Sequence, residues 1–501
     1  MTAFTTFRRG DFKRLFTASF SKPSSELSVS RAAMTSARFL PYAGFALLGL
    51  SACLGPSSFS HQKVVLPGDW KNAGGFPVAS PSRDLSRWWR RFDDPLLSRV
   101  ITDALQASPD MASASARIKE SRARRDSESA SLFPSLTGSA SSAYRTSQTD
   151  KIGTIESTSY SAGLNASWEV DLFGKRRSLV EAASANLGAT EENFHSVEAA
   201  LASEIAIAYT NLRANEAAMV VLLRNVKTRE ETSQLASWRT QAGEADALES
   251  SQALSSLEQA RAGIPSLEQN ISQARNLLSF LSGKNPGSLD SMLNTGNKGI
   301  PNPPRSLAIG IPADTIRQRP DVRVAGYQLL AAAANTRAAD AERYPSLSLS
   351  GTLGLNSLST GKLFNPQTSS AGLAAGITSP IFDAGRIRAN IAAQSAAEEQ
   401  SYQAYRSTVL AALSETEDAL IACRRTGERL QTLEKAATAA READLIARQR
   451  YQTGEIDFLS VLDAQRSLLN LESSLFVTRA DRTNAYIQLY KALGGGWSAG
   501  S

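Results

Sequence analysis

The residues that usually carry reactions are scarce in this chain. Two cysteines, Cys53 and Cys423, and two histidines, His61 and His195, are spread over 501 residues. That inventory builds no disulfide framework, zinc cluster or histidine-based triad. Cys423 lies in the helical run Ala419-Leu-Ile-Ala-Cys-Arg-Arg, where a small thiol reads as a packing residue. Cys53 is different. An apolar stretch from Phe45 ends in Leu50-Ser51-Ala52-Cys53, which resembles the lipobox of lipoprotein precursors. Small residues before such a cysteine admit a signal peptidase, and its thiol takes a diacylglycerol. The apolar stretch is too short to span a bilayer. A start at Met34 would give a signal of 19 residues ending at Ala52, and Leu54 in place of an aspartate points to outer-membrane sorting.

The basic charge of the whole chain is no argument for a nucleic-acid partner. Removing residues 1–52 deletes seven basic and two acidic side chains and takes the formal charge from +6 to about +1. Asp463 and Arg466, three apart, are by spacing alone a solvated helical pair worth about a few tenths of a kcal/mol. Catalytic, cofactor and metal residues are not expected.

What positions such residues is a duplicated unit. Phe133-Pro-Ser-Leu136 recurs as Tyr344-Pro-Ser-Leu347, Gly174-Lys175 as Gly385-Arg386, Gln241-Ala-Gly-Glu244 as Gln452-Thr-Gly-Glu455, and Gly283 as Gly494, all at an offset of 211. A constant offset at four landmarks implies two copies of one fold with almost no net insertion.

Each copy carries two alternating segments. From Tyr160 to Leu172 the even positions are apolar, with Leu164, Trp168 and Val170 among them, while Ser161, Asn165 and Glu169 occupy the odd ones. From Pro345, Leu347, Leu349, Leu353 and Leu355 alternate with serine and threonine. Weaker alternation covers residues 136–144 and 371–381, and polar loops are expected at Arg145–Ser159 and Ser357–Ser370. A soluble sandwich and a membrane barrel both satisfy this pattern, but the strands number only four and their polar side chains are small. Four strands cannot close around a lumen, and open edges are not tolerated in lipid, so membrane insertion would require oligomerisation.

A proline-free helical run follows each strand pair, over residues 176–240 and 386–451. At 1.5 Å per residue each would reach roughly 90–100 Å. A Gly-Glu turn at Gly243 and Gly454 then starts a return helix. In the first, Leu257, Ala260, Ile264, Leu267, Ile271, Ala274, Leu278 and Leu281 form a heptad seam, beside which Pro265 should bend the helix. In the second, Thr478 and Arg482 interrupt the seam. A hollow tube and a filled antiparallel coiled coil both fit this spacing.

Seven segments in order resemble the TolC family of outer-membrane efflux channels, in its NodT-like lipoprotein branch. They are Trp168-Glu-Val-Asp-Leu-Phe-Gly-Lys-Arg-Arg177, Arg319-Pro-Asp-Val-Arg323, Ala341-Glu-Arg-Tyr-Pro-Ser-Leu347, Pro380-Ile-Phe-Asp-Ala-Gly-Arg386, Arg450-Tyr-Gln-Thr-Gly454, Val461-Leu-Asp-Ala-Gln-Arg466 and Leu489-Tyr-Lys-Ala-Leu-Gly-Gly-Gly-Trp497. The resemblance implies a mainly α protein with a membrane β part: a trimeric twelve-stranded β-barrel continuing into a periplasmic α-helical barrel, with a two-fold internal repeat in each protomer. It implies a passive duct exporting drugs or other small molecules, docked to a periplasmic adaptor and an inner-membrane pump. The implied layout is a signal at 1–52, a lipid-anchored segment at 53–97, repeats at 98–283 and 313–494, an equatorial linker at 284–312 and a tail at 495–501. It also implies a gate at the periplasmic tip: Tyr451 as a gate tyrosine, Glu249 as its acidic partner, Leu459 as an apolar constriction, Asp463 as a ring aspartate and Arg466 as its basic neighbour. Three Asp463 carboxylates around a narrow axis would repel one another and attract cations. Ile456 stands where the family's latch arginine is expected, which leaves Arg450 as a substitute. A duct of the same fold for metal or protein export, and a lipid-anchored coiled-coil surface protein, are the competing readings.

Overall fold

The computed structural model describes residues 64–74, 85–150, 153–295, 299–304 and 312–497. The expected signal and Cys53 lie outside the described residues, as do parts of residues 53–97 and 284–312 and the last four residues. The described elements are helices α1 (Pro95–Ala107) and α2 (Pro109–Ala130), strands β1 (Ser135–Thr149) and β2 (Gly153–Val170), helices α3 (Lys175–Gln241), α4 (Ala247–Leu281), α5 (Asp290–Leu293), α6 (Pro312–Gln318) and α7 (Pro320–Ala341), strands β3 (Ser346–Ser357) and β4 (Ser369–Thr378), and helices α8 (Arg386–Gln452) and α9 (Phe458–Ala492).

The duplication is carried into the backbone residue for residue. Both ends of α2, α3 and α4 reappear in α7, α8 and α9 at the same offset of 211. The punctuation repeats with them, since Gly243 and Gly454 both adopt left-handed backbone, φ 76° and 77°, at the turns that reverse the chain. Gly283 closes α4 at φ 66°, where a Cβ would come within 2.6 Å of the Ala107 carbonyl, so only glycine fits.

The four strands form one antiparallel sheet in sequence order, with β1 and β4 as its edges. Its register aligns apolar side chains in rows across the strands: Leu136, Ala166, Gly351 and Leu373 make one row, and Gly138, Leu164, Leu353 and Ala371 the next. Large residues stand beside small ones, as a smooth apolar face requires. That face is uncovered, with Leu164 46%, Leu353 58% and Leu373 94% exposed. A soluble sandwich would bury it; here it is a continuous apolar surface of the kind that lipid covers. The opposite face is a hydroxyl network, with Ser135 and Ser167 oxygens 2.9 Å apart, Ser141 and Ser161 2.7 Å apart, and Asn165 donating to Ser139 at 3.3 Å.

The loop expected at Arg145–Ser159 is corrected. The ladder continues through Thr146 opposite Glu156 and Ser147 opposite Ile155 and ends at Thr149 opposite Gly153. Backbone pairing persists there although apolar alternation has stopped, because the ladder is made of main-chain hydrogen bonds that need no apolar face.

The long helices pack in two stages. Along its first half α3 meets α2 and α7, as in the Arg122–Glu191 pair at 3.5 Å and the Arg323–Glu192 pair at 2.6 Å. Along its second half it meets α4 and α9, through Arg261 to Glu230 at 2.9 Å and Gln465 to Thr232 at 3.3 Å. The heptad seam of α4 faces inward, with Leu257, Ala260, Leu278 and Leu281 buried, while Pro265 sits on its exposed side within an unbroken helix. The main core lies midway along α3. There Leu201, Ile205, Tyr209 and Leu212 pack against Trp88, Phe92 and Leu97 from the N-terminal segment, Ile101 from the start of the first repeat, Leu289 and Leu293 from the linker, and Leu489, Tyr490 and Leu493 from the chain end. Cys423 is buried in this belt as a free thiol, pushed up to about 12 by burial.

Candidate functional site

The segments that carry the resemblance hold the joints of this architecture. Asp171 accepts from the backbone N–H groups of Arg176 and Arg177 at 3.1 and 2.9 Å and from the Arg177 side chain at 3.0 Å, capping α3 as it leaves β2. Burial works to raise its pKa, but the hydrogen bonds win and hold the carboxyl below its ordinary range. Asp383 does the same for α8, accepting from the Gly385 and Ile387 N–H groups at 2.9 and 2.8 Å, which lowers its pKa. At the belt, the buried Arg319 donates to Asp321 at 2.7 Å, to Glu415 at 2.6 Å and to the Ala492 carbonyl at 3.1 Å, tying the start of the second repeat to its end. Trp497 closes the same region, with its ring 4.6 Å from that of His195 and the Arg323 guanidinium 5.3 Å above it.

The far ends of α3, α4, α8 and α9 meet at the two reversing turns. Asp246 and Asp457 cap the return helices, the latter accepting from the Ser460 N–H at 3.0 Å and hydroxyl at 2.5 Å, bonds that hold its carboxyl below the usual range. Between the turns lies a small apolar cluster of Ala236, Ala253, Tyr451, Phe458 and Val461. Tyr451 is its centre, only 2% exposed. The phenol hydroxyl donates to the Glu249 carboxylate, joining the second repeat to the first. Phe458 lies against one side of the ring at 5.5 Å, and the Arg239 guanidinium stands 4.8 Å from its centroid. Burial, then the carboxylate partner, pushes the hydroxyl up to about 12, so it remains a proton donor at any physiological pH.

The structure thus brings Tyr451 and Glu249 together. Leu459, Asp463 and Arg466 occupy a different place, one open stripe of α9 at i, i+4 and i+7, with Leu459 53% exposed. Among the described residues Asp463 and Arg466 form no ion pair with each other. The stripe's inward neighbour, Gln465, is buried and bonded to Thr232. Arg450 is engaged locally, its Nε donating to Glu455 of the same turn at 3.1 Å. Three further residues escaped sequence reasoning: Arg239, Phe458 and Arg229. Arg229 is largely buried, donates to the Ser256 carbonyl at 3.0 Å and to Asn225 at 2.8 Å, and has its pKa lowered by burial and by the Arg466 charge facing it. Arg239 was findable, because it stands 211 residues before Arg450.

The family model described as outer membrane efflux protein matches residues 100–284 and 311–495, one match per repeat. The chain belongs to the outer membrane efflux protein family. Among its relatives in Pseudomonas putida are the solvent efflux pump outer membrane protein SrpC, 31% identical over 462 residues that cover 91% of this chain and 97% of SrpC, and the pyoverdine export outer membrane protein OpmQ, 30% identical over 464 residues with the same shares. The solved outer-membrane channel OprN superposes with a TM-score of 0.82 at 29% identity, over 87% of this chain and 98% of OprN. This efflux protein is therefore the outer-membrane channel component of an efflux system, mostly helical and with the TolC-like fold.

Proposed function

We propose that this efflux protein acts as a lipid-anchored homotrimer, a passive and non-enzymatic duct that receives small molecules from a periplasmic adaptor and an inner-membrane pump. The observation that carries the reading is the sheet. Four strands with an uncovered apolar face and two unpaired edges are stable in lipid only when β1 of one protomer pairs with β4 of the next, and three copies give twelve strands, enough for a barrel with a lumen. The hydroxyl face then lines the barrel, and helices of 67 residues, about 100 Å each, carry the duct across the periplasm. Cys53 supplies the anchor.

The tip is the gate. The Tyr451–Glu249 bond latches α8 to α4, and release of the latch lets α8 and α9 swing outward. On the trimer axis Leu459 forms an apolar ring, with Asp463 and Arg466 behind it as charged rings. Because relatives of near-equal identity are described as exporting solvents in one case and pyoverdine in another, we read cargo choice as the pump's task and the duct as permissive toward small organic molecules. Deleting the gene and testing susceptibility to a panel of solvents and antibiotics checks this. Increased susceptibility, restored by the wild-type gene but not by a Cys53→Ser form lost from the outer membrane, is the expected result. Unchanged susceptibility of the deletion strain to every compound, with no trimer in detergent extracts of the wild type, overturns it.

A further inference from the structure

We propose that Arg239 is a positioning residue of the latch, holding the Tyr451 ring so that its hydroxyl meets Glu249. The inference rests on the gate reading above and extends it to a residue from the opposite repeat. The two reversing turns begin as copies: Arg239 and Glu244 of the first repeat correspond to Arg450 and Glu455 of the second, at the same offset of 211. In the second repeat the pair closes on itself at 3.1 Å, with both side chains more than half exposed. In the first, the carboxylate is 4.0 Å away and the arginine side chain is only 24% exposed, because its guanidinium has turned inward over the Tyr451 ring. The same residue type in the same turn has therefore been taken from a local ion pair and put to work between repeats.

The chemistry suits a clamp. A guanidinium lies flat on an aromatic face, carries its charge at every relevant pH and loses little hydration there. With Phe458 on another side of the ring and the hydroxyl bonded to Glu249, Tyr451 is held by one group from each of α3, α4 and α9. The residue that replaces Tyr451 in the first repeat is Thr240, which has no ring to hold. The clamp therefore exists once per protomer. It ties the end of α3 to the end of α8, so opening must break a contact on each side of Tyr451.

The test is single-channel recording of the purified trimer in a planar bilayer, comparing R239Q, R239K, Y451F, Y451L and R239Q/Y451L, each checked for trimer formation and helix content. R239Q is expected to raise the ratio of open to closed time about five-fold, the size of an ordinary cation–π contact. R239K should recover part of the closed time, and R239Q should add nothing in the Y451L background, where the ring is gone. If Y451F opens the channel while R239Q leaves it as wild type, the Arg239 role is wrong and the gate stands. If R239Q keeps its full effect on top of Y451L, Arg239 does not act through the ring and the proposal falls. If neither Y451F nor R239Q changes gating, the gate reading itself is overturned.

Discussion

The sharpest perturbation available is Tyr451→Phe, which removes one oxygen and leaves the buried ring in place. The phenylalanine keeps its contacts with Phe458 and Arg239, but the half-buried Glu249 carboxylate loses its donor. A hydrogen bond to a charged group is worth about 1.5–3 kcal/mol, so each protomer's ratio of open to closed tip should rise roughly 10- to 150-fold. Planar-bilayer recording reads this directly as longer dwell at high conductance, and circular dichroism should show unchanged helix content. A second arm uses pH. The Tyr451 hydroxyl is raised from 10 to about 12 in the folded protein, so the proton is held more tightly there than in a freed side chain. The sign follows: the latch's contribution is complete below pH 10, declines between 10 and about 12 and is lost above, with no Tyr451-linked change across the physiological range. Wild-type dwell times should begin to lengthen in that alkaline window while those of Tyr451→Phe do not respond. Wild-type gating by Tyr451→Phe at neutral pH, with the trimer intact, would refute the latch.

Other outcomes follow from the same structure. Asp463→Ala should lower cation selectivity and increase conductance, and an unchanged reversal potential in a salt gradient would remove it from the pore axis. Leu164→Arg on the apolar face should cost about 2–4 kcal/mol per protomer if it lies near the bilayer midplane and deplete the outer-membrane trimer, whereas Ser161→Arg on the hydroxyl face should assemble; equal yields of the two would contradict the assignment of faces. Gly283→Ala, which drives a Cβ against the Ala107 carbonyl at a positive φ, should destabilise the belt by about 1–3 kcal/mol, read as a lower melting temperature of the trimer. Cys53→Ser should abolish incorporation of radiolabelled palmitate, and persistent labelling would show the lipobox reading wrong.

Much of this architecture is legible in the sequence because period and offset are properties of the chain itself. The heptad seam from Leu257 to Leu281 marks the face that packs, and the landmarks 211 residues apart mark equivalent joints. Strand length was harder to read. Residues 145–159 are polar but for Ile152, Gly153 and Ile155, with no apolar alternation, so nothing in their pattern distinguishes a ladder from a loop. The tip divides the same way. Tyr451 and Glu249 are nameable through the family resemblance, but no spacing rule links residues 202 positions apart. The inward turn of Arg239 depends on which of two nearby partners wins, a choice made by packing that sequence reading does not reach. Arg229 and Phe458 carry no motif and emerge only from the meeting of helices.

The equal lengths of α3 and α8, 67 residues each, and of α4 and α9, 35 each, bear on how such a molecule changes over time. An insertion in one helix would lower one turn relative to the other, separate Tyr451 from Glu249 and shift a seam out of phase. Reach toward an inner-membrane partner is thus inherited jointly by four helices. It can lengthen only through matched insertions that keep the heptad, in steps of about 10 Å. Lineages of these ducts should differ in span by discrete increments, and a partner complex must change height by the same increments or be exchanged for another.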